Sequence, residues 1–388
     1  MIWGTEIFRH CIDSSEVIPM SIRSSIRCTV TALCMMMLIL DSRTGLAGAK
    51  IGIDICIKTL VPSLFPFFIL SILLTDTLLG QSLKVLQPIA TLCRLPRGSE
   101  SLLAIGFLGG YPVGAQNVSF AYRQGAVSLS DAQRMVVFCN NAGPAFLFGF
   151  LGQIFQNPLC PWILWLIHII SALAVGFLIP GGNQETSAGI PSSQIRISDA
   201  LAKSVHVMAQ VCAWVVLFRI MLQFLQRWIF CFIPGGAQLL ITGFLELANG
   251  CLLLQNLSSD GLKFVLSALM LGLGGICVTL QTCSVSAPLS LHLYIPGKIL
   301  QGCISFLLSY GVQFAFLAES KCVISSVLII VVLLLATLTA VILRNIEKPV
   351  AFSGKILYNK KSCEKGRIPC CSGKKSKNPV TTVPMVPN

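Results

Sequence analysis

Gly109-Gly110-Tyr111-Pro112-Val113-Gly114-Ala115-Gln116 and Gly274-Gly275-Ile276-Cys277-Val278-Thr279-Leu280-Gln281 carry one pattern, GGxxVxxQ, twice at a spacing of 165 residues. Both stretches sit in apolar runs, and around the first the glycine density is too high for a straight helix facing lipid. Two readings stand. Gly and Val are common in apolar segments, so the match is compositional; or the chain is built from repeats. In repeat-built transporters, hydrophobic segments interrupted by Gly or Pro at matching positions mark the solute site, because broken helices leave backbone N–H and C=O groups free to coordinate it.

Composition decides the class. Of 388 residues, 54% are hydrophobic and 11% charged, too little polar surface to cover a soluble fold of this size. Apolar runs long enough to cross a hydrocarbon core of about 30 Å occur near 26–40, 59–79, 100–121, 134–156, 160–180, 203–226, 235–256, 262–282, 296–317 and 322–343. The spacing predicts an all-α polytopic membrane protein with about ten transmembrane or re-entrant helices. The net charge of +13 is concentrated at the carboxyl end, where residues 344–388 hold ten Lys or Arg against Glu347 and Glu364. A basic segment directly after a final span predicts a cytoplasmic carboxyl terminus. With only Phe352 and Tyr358 as aromatics, that tail points to anionic lipid headgroups and not to nucleic acid. None of the 17 cysteines forms a CxxC, and most lie in apolar spans, so they read as small packing residues, with no metal site or cofactor expected. At the amino end, Ala47-Gly48-Ala49 resembles a signal-peptidase site, but the continuation through Lys50 to Lys58 favours an uncleaved first span.

Within the runs, polar and helix-breaking residues recur where they are costly. Pro62 and Pro66 predict a helix kinked or unwound at its start. Gly106, Gly109, Gly110, Pro112 and Gly114 predict a re-entrant or broken helix at 100–121 that faces protein or water. Cys139-Asn140-Asn141-Ala142-Gly143-Pro144 places two amides beside a Pro that frees an upstream carbonyl. This is either a solute-binding element or an amide pair stitching helices together. The polar linker 181–199 divides the chain into comparable halves. Beyond it, Glu246 with Asn249-Gly250 is the acidic residue set deep in a second-half span. It is a coupling or gating carboxylate, or a structural partner of Arg219 or Lys298. His168 is expected to hydrogen-bond locally. The two GGxxVxxQ segments fall five spans apart, an odd separation that predicts entry from opposite faces and hence an inverted repeat. On this basis residues 100–121 should superpose on 265–286.

Taken in order, Pro62-Ser63-Leu64-Phe65-Pro66-Phe67, Gly110-Tyr111-Pro112-Val113-Gly114-Ala115, Asn140-Asn141-Ala142-Gly143-Pro144, Gly243-Phe244-Leu245-Glu246-Leu247-Ala248-Asn249-Gly250 and Gly297-Lys298-Ile299-Leu300-Gln301-Gly302 resemble the YlbJ/SpoVV-type sporulation integral membrane proteins. These belong to the nucleoside-recognition or Gate-domain group, and the resemblance covers roughly residues 45–320. It implies a protein of endospore-forming bacteria in the outer forespore membrane, associated with moving dipicolinic acid toward the spore. It also implies two Gate-type repeats, at 46–180 and 200–343, preceded by an amino-terminal segment at 1–45 and followed by the tail. Ala142 departs from the hydroxyl residue expected between the amides and Gly-Pro.

The expected solute is a small anion such as dipicolinate, or a nucleoside-like molecule. Its site would be drawn from Gly109, Gly110, Tyr111, Pro112, Gly114, Gln116, Asn140, Asn141, Gly143, Pro144, Glu246, Asn249, Gly274, Gly275, Gln281 and Lys298. Half-helix N-termini favour negative charge without a buried cation. The chain carries no HExxH, GxSxG or GxxxxGK[ST], and no paired Asp or Glu at helical spacing within a span, so an enzyme is not expected. A non-transporting receptor or scaffold, whose Gly-rich helices merely pack closely, is the remaining class.

Overall fold

A computed structural model of the protein describes residues 22–96, 98–179, 181 and 195–316. The expected span at 322–343, the basic tail and most of the 181–199 linker lie outside the described residues.

Every regular element among the described residues is helical, the arrangement that satisfies backbone polar groups internally where water is absent. An exposed apolar helix α1 (Ile22–Leu40) leads into α2 (Ser42–Ile55), which passes through a π-helical turn at Cys56–Leu60 into α3 (Val61–Leu78). The composite spans 37 residues, or about 55 Å of helix. Pro62 and Pro66 were expected to kink or unwind its start; the irregularity takes the form of the π turn just before Pro62, where the Ser63 hydroxyl donates to the Thr59 carbonyl oxygen at 2.7 Å, and the helix runs on through Pro66.

The long helix α9 (Ile197–Trp228) packs along this composite. Gly45, Gly48 and Gly52 of α2 make the approach possible: a Cβ on Gly48 would lie 2.8 Å from Cα of Ile220, and one on Gly52 2.9 Å from Cα of Val216. Backbone meets backbone there, as small residues permit in membrane helix pairs. An ion pair of Arg227 with Asp41 at 2.9 Å closes one end.

Between these elements the chain folds into α4 (Gln87–Leu92), α5 (Glu100–Leu108), α6 (Val113–Arg123), α7 (Leu129–Phe138), a π turn at Ala145–Phe150 with a 3₁₀ turn at Leu151–Ile154, and α8 (Cys160–Leu178). After α9 come α10 (Gly235–Leu245), α11 (Leu247–Leu254), α12 (Asp260–Leu273), α13 (Gly275–Ser286) and α14 (Tyr294–Phe316). Among the described residues four helices are long and apolar enough to cross a membrane: Ser42–Leu78, Cys160–Leu178, Ile197–Trp228 and Asp260–Ser286.

Two of the expected spans turn back on themselves. A Cβ added to Gly106 or to Gly114 would collide with the same carbonyl oxygen, that of Cys139. Eight residues of continuous helix would separate them by about 12 Å, so α5 and α6 form a re-entrant pair with its tip at Gly109–Pro112. Likewise a Cβ on Gly250 would collide with the backbone of Gly243. Seven residues of helix would hold these about 10 Å apart; α10 and α11 therefore form a second re-entrant pair, tipped by Glu246. Gly at these crossings is required by the close approach of the backbones.

This corrects the expected equivalence of residues 100–121 with 265–286. The first GGxxVxxQ caps a re-entrant tip, whereas the second is the break between α12 and α13, made by Gly274 (φ +70°) and Gly275 (φ +81°). Element order pairs Gly109–Pro112 with Glu246, and the break at 139–144 with that at 274–275. Each half then reads long helix, re-entrant pair, broken segment, helix. The two apolar cores each draw on both halves, so the halves interlock in one unit.

Candidate functional site

Both tips, the first break and the helix that follows the second break converge on one cavity of about 50 Å³, which Gly274 and Gly275 themselves do not line. The first tip supplies Gly109, Gly110 and Tyr111, the first break Gly143 with Phe146, the second tip Glu246 to Ala248, and α13 Val278 and Gln281. Leu60, Leu64 and Phe68 of the α2–α3 composite, with Val211 and Val215 of α9, form an apolar wall. Each tip is pinned to the break in its own half through glycine. A Cβ on Gly143 would lie 2.9 Å from Cα of Gly110, and one on Gly275 3.0 Å from the Phe244 carbonyl oxygen.

The polar equipment of the cavity is small and specific. Glu246, 3% exposed, is the N-cap of α11: one carboxylate oxygen accepts from the Ala248 N–H at 3.1 Å, the other from the Asn249 N–H and the Asn249 side-chain amide at 2.6 Å each. Asn249 thus serves the tip and not the cavity wall. Among the described residues Glu246 has no cation within ion-pair distance: Arg219 donates to Gln223 and Gln226 on its own helix and acts on the carboxylate only through its field, and Lys298 is engaged elsewhere. Of the two alternatives weighed for Glu246, direct pairing with Arg219 or Lys298 is not what the structure shows, because the start of a short return helix satisfies the carboxylate locally. The Gln281 side-chain amide donates to the Cys277 sulfur at 3.3 Å, a weak partner. The Tyr111 hydroxyl is buried and has no hydrogen-bond partner among the described residues.

Several expected site residues lie behind the cavity. The Asn140 amide nitrogen donates to the Thr282 hydroxyl at 2.8 Å and the Tyr294 hydroxyl at 3.1 Å, while its oxygen accepts from the Ala115 N–H at 3.2 Å. The Asn141 amide nitrogen donates to the Phe138 carbonyl at 2.6 Å, and its oxygen accepts from Lys298 Nζ at 3.1 Å and the Gln301 amide at 3.0 Å. All polar atoms of both amides are taken by protein, so the stitching alternative describes them. Pro112 and Pro144 start helical turns, Gly114 makes the re-entrant crossing, and Gly274 makes the second break. Gln116 is exposed and lines a separate cleft of about 290 Å³ with Asp76, Asn117, Arg123, Lys203 and His206. His168 bonds locally, its Nε2 accepting from the Ala142 N–H at 3.0 Å in the first break.

The polar network around the first break includes Gln301, Thr282 and Tyr294, which the sequence reading passed over. Gln301 stands one helical turn from Lys298, a spacing at which helix side chains meet. The opposed hydroxyls carry no sequence signal.

The chain is similar to the sporulation integral membrane protein YlbJ of Bacillus subtilis (strain 168), 24% identical over 302 residues that cover 66% of this chain and 74% of the relative. No family model matches the chain, and no solved structure matches it. The similarity supports a YlbJ-type assignment and, with the apolar helices, a place in a membrane.

Proposed function

From a YlbJ-type membrane protein with this cavity, we propose a carrier, not an enzyme, that moves a small planar solute across the outer forespore membrane during sporulation. Dipicolinic acid is the first candidate. The observation that carries the reading is the convergence of two re-entrant tips, one helix break and the helix that follows the other break on one small cavity. A space of about 50 Å³ admits a few waters, well below the roughly 300 Å³ of the smallest ordinary ligand sites. Solute entry therefore requires a tip to withdraw, which is the gating that a carrier needs.

Between the two tips lie the helices Cys160–Leu178 and Ile197–Trp228, each long enough to span, and we read the broken segment 129–154 as a third crossing. An odd number of crossings brings the tips in from opposite faces, which supports inverted Gate-type repeats, each tip gating its own side. The charge of the basic tail supports a cytoplasmic carboxyl terminus with anionic headgroups as its partner.

A second solute class is favoured by the wall chemistry. The cavity presents Glu246 and no basic side chain, with Phe68, Tyr111 and Phe146 as apolar ring surfaces. Such a wall suits an uncharged ring such as a nucleobase; dipicolinate would enter with its charge neutralised by protons or an accompanying cation. Counterflow in liposomes separates the cases. Exchange of labelled dipicolinate that cold nucleoside does not dilute supports the first, the reverse supports the second, and ligand binding without counterflow identifies a receptor. A deletion strain with normal spore dipicolinate and heat resistance would refute the sporulation role.

A further inference from the structure

Lys298 lies on α14, 4% exposed, with no carboxylate in contact among the described residues. Its ammonium donates to three neutral oxygens: the Asn140 carbonyl at 2.7 Å, the Asn141 side-chain oxygen at 3.1 Å and the Gln301 side-chain oxygen at 2.9 Å. The Tyr294 ring covers it, with Nζ 5.6 Å from the centroid. The Asn140 carbonyl is the one that Pro144, lacking an N–H, leaves without a helical donor. Three converging neutral oxygens and an aromatic face are the surroundings of a bound monovalent cation, in which protein oxygens replace a hydration shell. The spacing is too long for Mg²⁺ or Ca²⁺, which hold oxygens at about 2.0 to 2.6 Å and recruit carboxylates.

We propose that the break at residues 139–144 is a monovalent-cation site whose permanent occupant is the ammonium of Lys298. A break in a transporter helix exposes carbonyls that a dissociable coupling ion would otherwise satisfy. Here the cation is tethered to α14, so the break stays ordered with no ion from solution. Joined to the carrier reading, on which this last step rests, solute exchange needs no sodium or potassium at this position.

The site itself is tested without transport. Purified Lys298→Ala is melted in detergent at constant ionic strength in choline chloride, with potassium chloride or methylammonium chloride substituted stepwise. The vacancy should take the added cation, giving a saturable rise in midpoint of about 3 °C at roughly ten times the dissociation constant. Wild type should show none, and Lys298→Ala/Gln301→Leu, which lacks one of the oxygens, a weaker response. A Lys298→Ala midpoint that follows the added salts as wild type does overturns the proposal.

Lys298→Met fills the volume without charge and guards against a poorly folding Ala variant. It should melt below wild type and ignore the added cations; a wild-type midpoint overturns the proposal. In liposomes, wild-type counterflow should be unchanged when sodium and potassium are replaced by choline. Counterflow that requires either ion removes cation independence while leaving the thermal result standing. Absence of counterflow in every salt, with the thermal response present, removes the carrier reading alone.

Discussion

Glu246→Gln is the substitution on which the geometry makes its sharpest demand. The carboxylate accepts three hydrogen bonds at 2.6 to 3.1 Å, all from the first turn of α11. Gln keeps one acceptor oxygen and turns an NH₂ group toward donors that cannot accept from it. Placed where it keeps both Asn249 bonds, that oxygen leaves the Ala248 N–H facing the NH₂ group: one charge-assisted bond worth about 1.5 to 3 kcal/mol is lost, the other two become neutral, and a buried donor is stranded, so the tip loses on the order of 3 kcal/mol or more. That loss falls on a return helix of only eight residues, too short to persist unaided. Glu246→Gln should therefore lower the thermal midpoint by several degrees. It should also raise the rate at which a Leu247→Cys reporter, buried at 1% exposure in the intact tip, reacts with a membrane-impermeant maleimide. Solute counterflow should fall through leakage or loss of gating, with binding weakened too. An unchanged midpoint and an unreactive Leu247→Cys in the Glu246→Gln background would refute the capping account and return the carboxylate to a coupling role.

Three further outcomes are expected. Asn140→Leu strands the buried Ala115 N–H at a cost of about 1 to 3 kcal/mol, so membrane abundance and counterflow should fall together; full abundance without counterflow would instead make the amide a solute ligand. Tyr111→Phe removes a hydroxyl that has no partner among the described residues, so the melting midpoint should hold or rise while solute affinity drops; unchanged affinity would mean the hydroxyl does not meet the solute. Gly48→Leu forces a side chain against the Ile220 backbone, where overpacking costs about 1 to 3 kcal/mol or more; a wild-type yield of folded protein would show that α2 and α9 are not in backbone contact.

The breaks were legible in the sequence because glycine and proline declare them locally: Gly109–Pro112, Asn141–Pro144 and Gly274–Gly275 all interrupt helices where composition required it. Whether an interrupted segment crosses or returns was not legible. That choice rests on long-range contacts, Gly106 and Gly114 on Cys139, and Gly243 on Gly250, which no window of sequence contains. The GGxxVxxQ match misled for the same reason, since a tip and a break both need paired glycines and differ only in what packs beside them. Glu246 was recognised as exceptional, but its partner proved to be the N-terminus of its own return helix and not a distant cation. Lys298 was found by its motif, and two of its three oxygens come from a segment 157 to 158 residues away.

The two tips are built from different chemistry, and this bears on vectoriality. One is Gly109-Gly110-Tyr111, backbone and a phenol; the other ends in the Glu246 carboxylate. Under the proposed inverted arrangement each tip opens to its own compartment, so one half-cycle hydrates a carboxylate and the other does not. The outward- and inward-facing states then differ in free energy even in a symmetric bilayer without a gradient. An unloaded carrier of this kind rests on one side, and its net flux is faster in one direction than in the other at equal driving force.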